Sequence, residues 1–152
     1  INSIAREQNN SLFDQKINEI RENVGIGIIP KGLAVRQAFK SLKNNEIVAI
    51  LGDQDAREKG WKLKFFGRDA STYAGAVQFA RRTGAAIVPA FFHRVGWMQH
   101  ELKCYPLRKI DKKASEAEMK EELQSLLHLT ENEIRKNPAD WMWLHKRWKT
   151  FN

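Results

Sequence analysis

Cysteine is almost missing from this chain: Cys104 stands alone in 152 residues. No internal disulfide can form, which fits a reducing compartment. Cys104 lies in an alternating stretch and reads as a packing residue. No segment approaches the ~18 consecutive apolar residues of a membrane span, and no signal peptide opens the chain. The first residue is Ile1 rather than Met, which fits a fragment of a longer protein. Cysteine and histidine nowhere cluster at ligand spacing, and neither a G-x-G-x-x-G fingerprint nor a P-loop occurs, so neither metal nor cofactor is expected. Repeats, low-complexity tracts and internal linkers are lacking too, and 1–152 reads as one domain with room for a core.

Acids are the minority charge. Twenty-six basic residues against 18 acidic ones give a net charge of +8. Anionic partners follow: lipid headgroups, phosphates, acidic proteins or nucleic acid. Nucleic acid fits poorly, because Glu116, Glu118, Glu121, Glu122, Glu131 and Glu133 dilute the basic field and no recognition motif appears. Apolar residues at 42% and charged residues at 29% describe a globular chain rather than a disordered one.

What is present centres on 47–92. The apolar run Ile47–Leu51 has the length of a buried strand and ends at Gly52-Asp53-Gln54-Asp55. An extended segment, Trp61–Phe66, closes on Phe65-Phe66-Gly67. Ser71 and Thr72 are placed to cap a helix over about Tyr73–Arg82, with Gly84 as its stop. A second buried strand, Ala86–Phe92, contains Pro89. Strand, acidic turn, helix and strand make a crossover unit, and chemistry in such sheets gathers at strand ends.

Upstream, Leu12, Phe13, Ile17, Ile20 and Val24 recur at helical spacing before Gly25, and Ile26–Ile29 reads as a short strand. A helix from Leu33 to Leu42 turns Leu33, Phe39 and Leu42 inward and Arg36, Lys40 and Lys43 outward, making a second crossover unit. Downstream, His93–Trp97 and Gln99–Leu107 read as an antiparallel pair around Gly96. Ser115–Asn137 is the longest predicted helix, with Met119, Leu123, Leu126, Leu127 and Ile134 as its buried stripe. The class is α/β: a central, mostly parallel or mixed sheet flanked by helices, with a long C-terminal helix.

Asp-Gln-Asp after an apolar strand, then Phe-Phe-Gly, then A-x-R-T-G-A-x-I-V-P, and finally PADWMWLHKRWK over Pro138–Lys149 occur in one order. Together they resemble the late acyltransferases of lipid A biosynthesis, the lauroyl and myristoyl type within the glycerolipid acyltransferase superfamily. The resemblance runs from about Ile4 to Lys149 and covers the family's C-terminal half. It implies an O-acyltransferase that moves a fatty acyl group from acyl-carrier protein to a lipid A precursor. A phosphatidylinositol mannoside or other glycolipid acyltransferase using acyl-CoA is the alternative, and a non-catalytic lipid-binding domain derived from the family is a third reading. The His-x4-Asp/Glu pair of the family's chemistry would lie upstream of Ile1. The implied setting is the cytoplasmic face of the bacterial inner membrane, peripheral or anchored by an upstream segment.

The resemblance also distributes roles. Asp53 would support catalysis by orienting the upstream histidine or holding a basic substrate-binding residue; the plainer reading is a turn Asp capping backbone amides. Asp55 reads as solvated. Arg6, Gln54, Phe65, Phe66, Arg68 and Arg94 are the substrate-binding candidates, with Phe65 and Phe66 equally readable as core. Arg81 and Arg82 are surface charges or phosphate contacts, and a phosphate could also use the amides of a helix starting at Thr72–Tyr73. Trp141, Trp143, Lys146, Arg147, Trp148 and Lys149 suit an anionic membrane interface, or else a C-terminal helix packed on the domain. His128 and Glu133 satisfy His-x4-Glu formally, but five helical residues leave the two side chains about 140° apart.

Overall fold

The computed structural model describes residues 1–5, 9–30 and 34–151. They group into two compact units, Ile1–Leu51 and Gly52–Asn152.

The first unit is a three-stranded parallel sheet with two helices. Strands β1 (Asn2–Ala5), β2 (Gly27–Pro30) and β3 (Val48–Ala49) lie in the order β2-β1-β3. Their register pairs Ser3 with Ile28 on one side and with Ala49 on the other. Helix α1 (Ser11–Asn23) starts at Asn10, whose side chain accepts from the amides of Leu12 and Phe13. Helix α2 (Ala34–Lys43) exposes Arg36, Lys40 and Lys43 as its periodicity predicts, but buries Ala38 and leaves Phe39 and Leu42 half-buried; Leu33, expected inward, lies outside the described residues. The fully buried strand expected at Ile47–Leu51 shrinks to β3 at a sheet edge, with Ile47 and Leu51 exposed. An edge strand with one short neighbour cannot bury a continuous apolar run.

The second unit carries most of the core. Strands β4 (Trp61–Phe65) and β5 (Arg68–Thr72) form a hairpin through Phe66-Gly67, both at positive φ as a two-residue primed turn requires. Helix α3 (Gly75–Thr83) follows and stops at the left-handed Gly84. The long helix α4 (Glu116–Lys136) opens with a reciprocal Ser115/Glu118 capping box and buries Met119, Leu123, Leu127 and Ile134. Against that stripe lie Val77 and Ala74 of the α3 region at one end and Phe65 and Ala70 of the hairpin at the other. Strands β6 (Ala90–Gly96) and β7 (Gln99–Cys104) form a second hairpin.

Three readings change here. Ser71 and Thr72 end β5 instead of capping a helix, which begins only at Gly75 without a side-chain cap. The expected strand across Pro89 starts after it, because proline cannot donate to a ladder; β6 pairs with β7 and not in a crossover. The α/β class holds, but the described strands fall into three separate ladders rather than one central sheet.

Candidate functional site

The site is built where the C-terminal segment folds back on the acidic loop. Asp55 is buried, and its amide donates to Nε2 of His145 at 2.8 Å. Its Oδ1 accepts from the Arg57 amide at 2.9 Å and from the Thr150 hydroxyl at 2.7 Å. Oδ2 is buried and has no hydrogen-bond partner. Burial pushes this carboxyl upward, but the hydrogen bonds from Thr150 and Arg57 and the charge of Lys149 outweigh it and hold Asp55 below the usual range.

Arg147 is the largest fully buried side chain, at 1% exposure. Its Nη1 donates to the Ser71 carbonyl at 2.6 Å and its Nη2 to the Thr72 hydroxyl at 2.8 Å. The guanidinium lies 5.2 Å from the Phe65 ring centre. Burial lowers its affinity for the proton, and the negative charges of Asp55 and then Asp53 oppose that. The end of β5 therefore holds a cation under the acidic loop. Gly60 makes the approach possible: a Cβ there would meet Ser71 Oγ and sit 2.6 Å from the Ala56 Cβ and 2.8 Å from the Thr72 amide.

A second polar centre lies near the end of α4. Glu133 is 3% exposed and accepts from Lys136 at 2.7 Å, from Lys103 at 3.3 Å and from the Tyr105 hydroxyl. His93 Nε2 lies 2.9 Å from the same carboxylate, and its Nδ1 lies 3.1 Å from Asp140. Burial opposes ionisation of Glu133, yet these donors hold its pKa down to about 2.

The predicted residues divide sharply. Asp53 is half-buried at the rim of the Arg147 centre, while Gln54 beside it is exposed. Asp55, expected in solvent, is the buried member of the pair, because the distant Thr150 and His145 close over it. Phe65 is wholly buried core, stacked by Trp141 at 5.7 Å and Trp148 at 5.9 Å. Phe66 is half-buried, and its amide donates to the buried Glu131. Arg68 is exposed over the Trp148 ring, and Arg94 is exposed over the Trp97 ring. Arg6 lies outside the described residues.

The C-terminal segment is corrected most. It is a 3-10 turn, Pro138–Asp140, and further turns, not a helix. Arg147 is buried and the half-buried Trp141 and Trp148 rings pack against Phe65, as the reading of a segment packed on the domain expects. Trp143, Lys146 and Lys149 remain exposed, with Met142 and Leu144. Cys104, expected to pack, is also exposed. A phosphate site at a Thr72–Tyr73 helix start disappears with that start. His128 is exposed and bonded to Gln124, whereas Glu133 is buried elsewhere, so the two form no pair.

Sequence reading missed Asp55, His145, Thr150, His93 and Tyr105. The one signal available was His145-x-Arg147-x-x-Thr150, three polar residues turning the same way between exposed lysines. Among the described residues, no helix is long and apolar enough to cross a membrane, and no group of acids, histidines and cysteine could hold a metal ion.

Residues 1–150 match the model of the bacterial lipid A biosynthesis acyltransferases. The chain belongs to that family. It is also 27% identical over 140 residues to the phosphatidylinositol mannoside acyltransferase of Mycobacterium tuberculosis, in strains CDC 1551 / Oshkosh and ATCC 25618 / H37Rv alike. The match covers 88% of this chain and 42% of those relatives, so the chain spans less than half their length. The acidic loop and the C-terminal segment, two of the motifs that carried the resemblance, are joined through Asp55 by His145 and Thr150.

Proposed function

We propose that this chain is part of an O-acyltransferase that passes a fatty acyl group from a thioester donor to a hydroxyl of a glycolipid at an anionic membrane surface. The observation that carries this reading is the buried Arg147, fixed by Ser71 and Thr72 beneath Asp53 and Asp55. A charge so placed holds the acidic loop in one arrangement, with Asp53 at its rim.

The histidine that removes the acceptor proton comes from an upstream His-x4-Asp/Glu in this reading. Both ring nitrogens of His93 face carboxylates, and His145 Nε2 is committed to the Asp55 amide. The upstream imidazole takes the hydroxyl proton, the oxygen attacks the thioester carbonyl, and the thiolate leaves and recovers the proton. Asp53 orients that imidazole. A lipid A precursor with acyl-carrier-protein thioester is the preferred acceptor and donor. The alternative reading is a phosphatidylinositol mannoside or other glycolipid acceptor with acyl-CoA as donor, and the similarity to a phosphatidylinositol mannoside acyltransferase supports its acceptor.

The test compares this chain with a polypeptide extended upstream through a His-x4-Asp/Glu, using both donor–acceptor pairs and mass spectrometry of the lipid. Transfer is expected only from the extended form, and loss of that histidine should abolish it. Transfer by the 152-residue chain that survives His128→Ala and Cys104→Ala would overturn the assignment.

A further inference from the structure

The β6–β7 hairpin ends in Trp97-Met98, closed by the pair Gly96 and Gln99. A two-residue hairpin turn in water favours Asn-Gly or similar residues, because positive φ is needed and the tip is solvated. Here Met98 adopts φ 54°, a left-handed conformation that favours glycine or asparagine. Trp97 and Met98 are each 81% exposed. Both local preferences, for backbone and for solvation, are violated at one spot, as happens where a surface is kept for contact.

The apolar character continues below the tip. Phe92 and Leu102 pair across the strands and are both exposed, at 69% and 51%, and Val95 is exposed beside them. The charge nearest the tip is basic, and the hairpin's one acid, Glu101, lies opposite His93 in the ladder. Arg94 stacks 5.7 Å from the Trp97 ring centre, and no acidic residue occurs between Asp69 and Glu101. An indole at a tip, an arginine against its face and an apolar band beneath match a lipid interface, with the ring at headgroup depth and the guanidinium on anionic phosphate.

We propose that the Trp97-Met98 hairpin tip inserts into the surface of an anionic bilayer and is a lipid-contact element of this unit. It is distinct from the exposed Trp143 and lysines of the C-terminal segment. It deepens the glycolipid reading above but is tested without donor or acceptor, so it fails separately from acyl transfer.

The experiment measures binding of the 152-residue chain to phosphatidylglycerol vesicles and to phosphatidylcholine vesicles. The double variant Trp97→Asn, Met98→Gly supplies residues the turn prefers, so its melting temperature should hold or rise while binding to anionic vesicles weakens about tenfold. Leu144→Ser serves as the comparison and should change binding less. Unchanged vesicle binding by a folded double variant would overturn the proposal. If the double variant fails to fold, Met98→Cys in a Cys104→Ser background carries a polarity-sensitive dye. A blue shift with anionic vesicles supports insertion, and unshifted emission overturns it. Concentration-dependent self-association that needs the tip, without vesicle binding, would also overturn it in favour of a contact between copies.

Discussion

Two buried charges in the Gly52–Asn152 unit are held in opposite ways. Glu133 is saturated: two lysines, a tyrosine hydroxyl and a histidine converge on its carboxylate. Arg147 donates to neutral oxygens, Ser71 O and Thr72 Oγ1, and its countercharges are the nearby Asp55 and Asp53. Asp55 still has one unmet oxygen, and Asp53 stands half-open at the rim. A saturated centre fixes α4 against β6 and β7 and leaves nothing over for chemistry. The unsaturated one keeps charge at the edge of a loop, where a reacting group can use it.

Removing Arg147 should break this arrangement most severely. Arg147→Ala takes two donors from the end of β5, where Ser71 O keeps only the Ala56 amide, and removes a buried cation facing Asp55, costing about 4 kcal/mol. Arg147→Lys should recover little, since one ammonium cannot reproduce the fork that reaches both Ser71 and Thr72. Thermal unfolding followed by circular dichroism measures both. A melting temperature near that of the parent for Arg147→Ala would mean that the C-terminal segment contributes little to the unit.

Glu133→Gln should cost less, about 3 kcal/mol, because the exposed ends of Lys103 and Lys136 can turn to water once the carboxylate is gone. Its pH dependence identifies it. The folded pKa is depressed to about 2 from an ordinary 4.5, so Glu133 stabilises the fold above the ordinary value. That stabilisation is lost as pH falls from 4.5 through about 2. Denaturant titrations at pH 6, 4 and 3 (roughly spanning that window) should show the gap between parent and variant narrowing with acid. A constant gap would mean that the carboxylate's charge is not what holds the centre.

How much of this could be read from the sequence depends on the range of the contacts involved. Helix α4 was legible because its stripe and its capping box are local: Ser115 and Glu118 satisfy each other three residues apart. The hairpin tip was placed near Gly96 by alternation alone. The burial of Asp55 was not legible, since it is decided by Thr150, 95 positions later. Ser71 and Thr72 misled because the residue types that cap helices also end strands, and only the Phe66-Gly67 turn reveals β5. The tryptophans and basic residues of the C-terminal segment suit a membrane and a core equally in composition. Only packing on Phe65 separates Trp141 and Trp148 from the exposed Trp143.

Asp53 should have the smallest effect on stability, and it sharpens the comparison most. Asp53 and Asp55 share one loop and one cation, but Asp55 is bonded into the interior while Asp53 is half-open. Asp55→Asn keeps the shape but removes the charge facing Arg147 and turns a buried acceptor into a donor, which should cost about 2 kcal/mol. Asp53→Asn should change stability by less than about 0.5 kcal/mol, as a partly exposed turn position does. In the polypeptide extended upstream, the same Asp53→Asn change should lower acyl transfer roughly a hundredfold, the scale of losing a group that positions an acid–base residue. The fall should appear in kcat rather than in the apparent constant for the acceptor, because an orienting carboxylate acts on the reacting histidine and not on substrate affinity. Adding Asp55→Asn to Asp53→Asn should then lower stability with little further loss of transfer. Full transfer by a folded Asp53→Asn variant would reduce Asp53 to a turn residue and move the chemistry away from this loop.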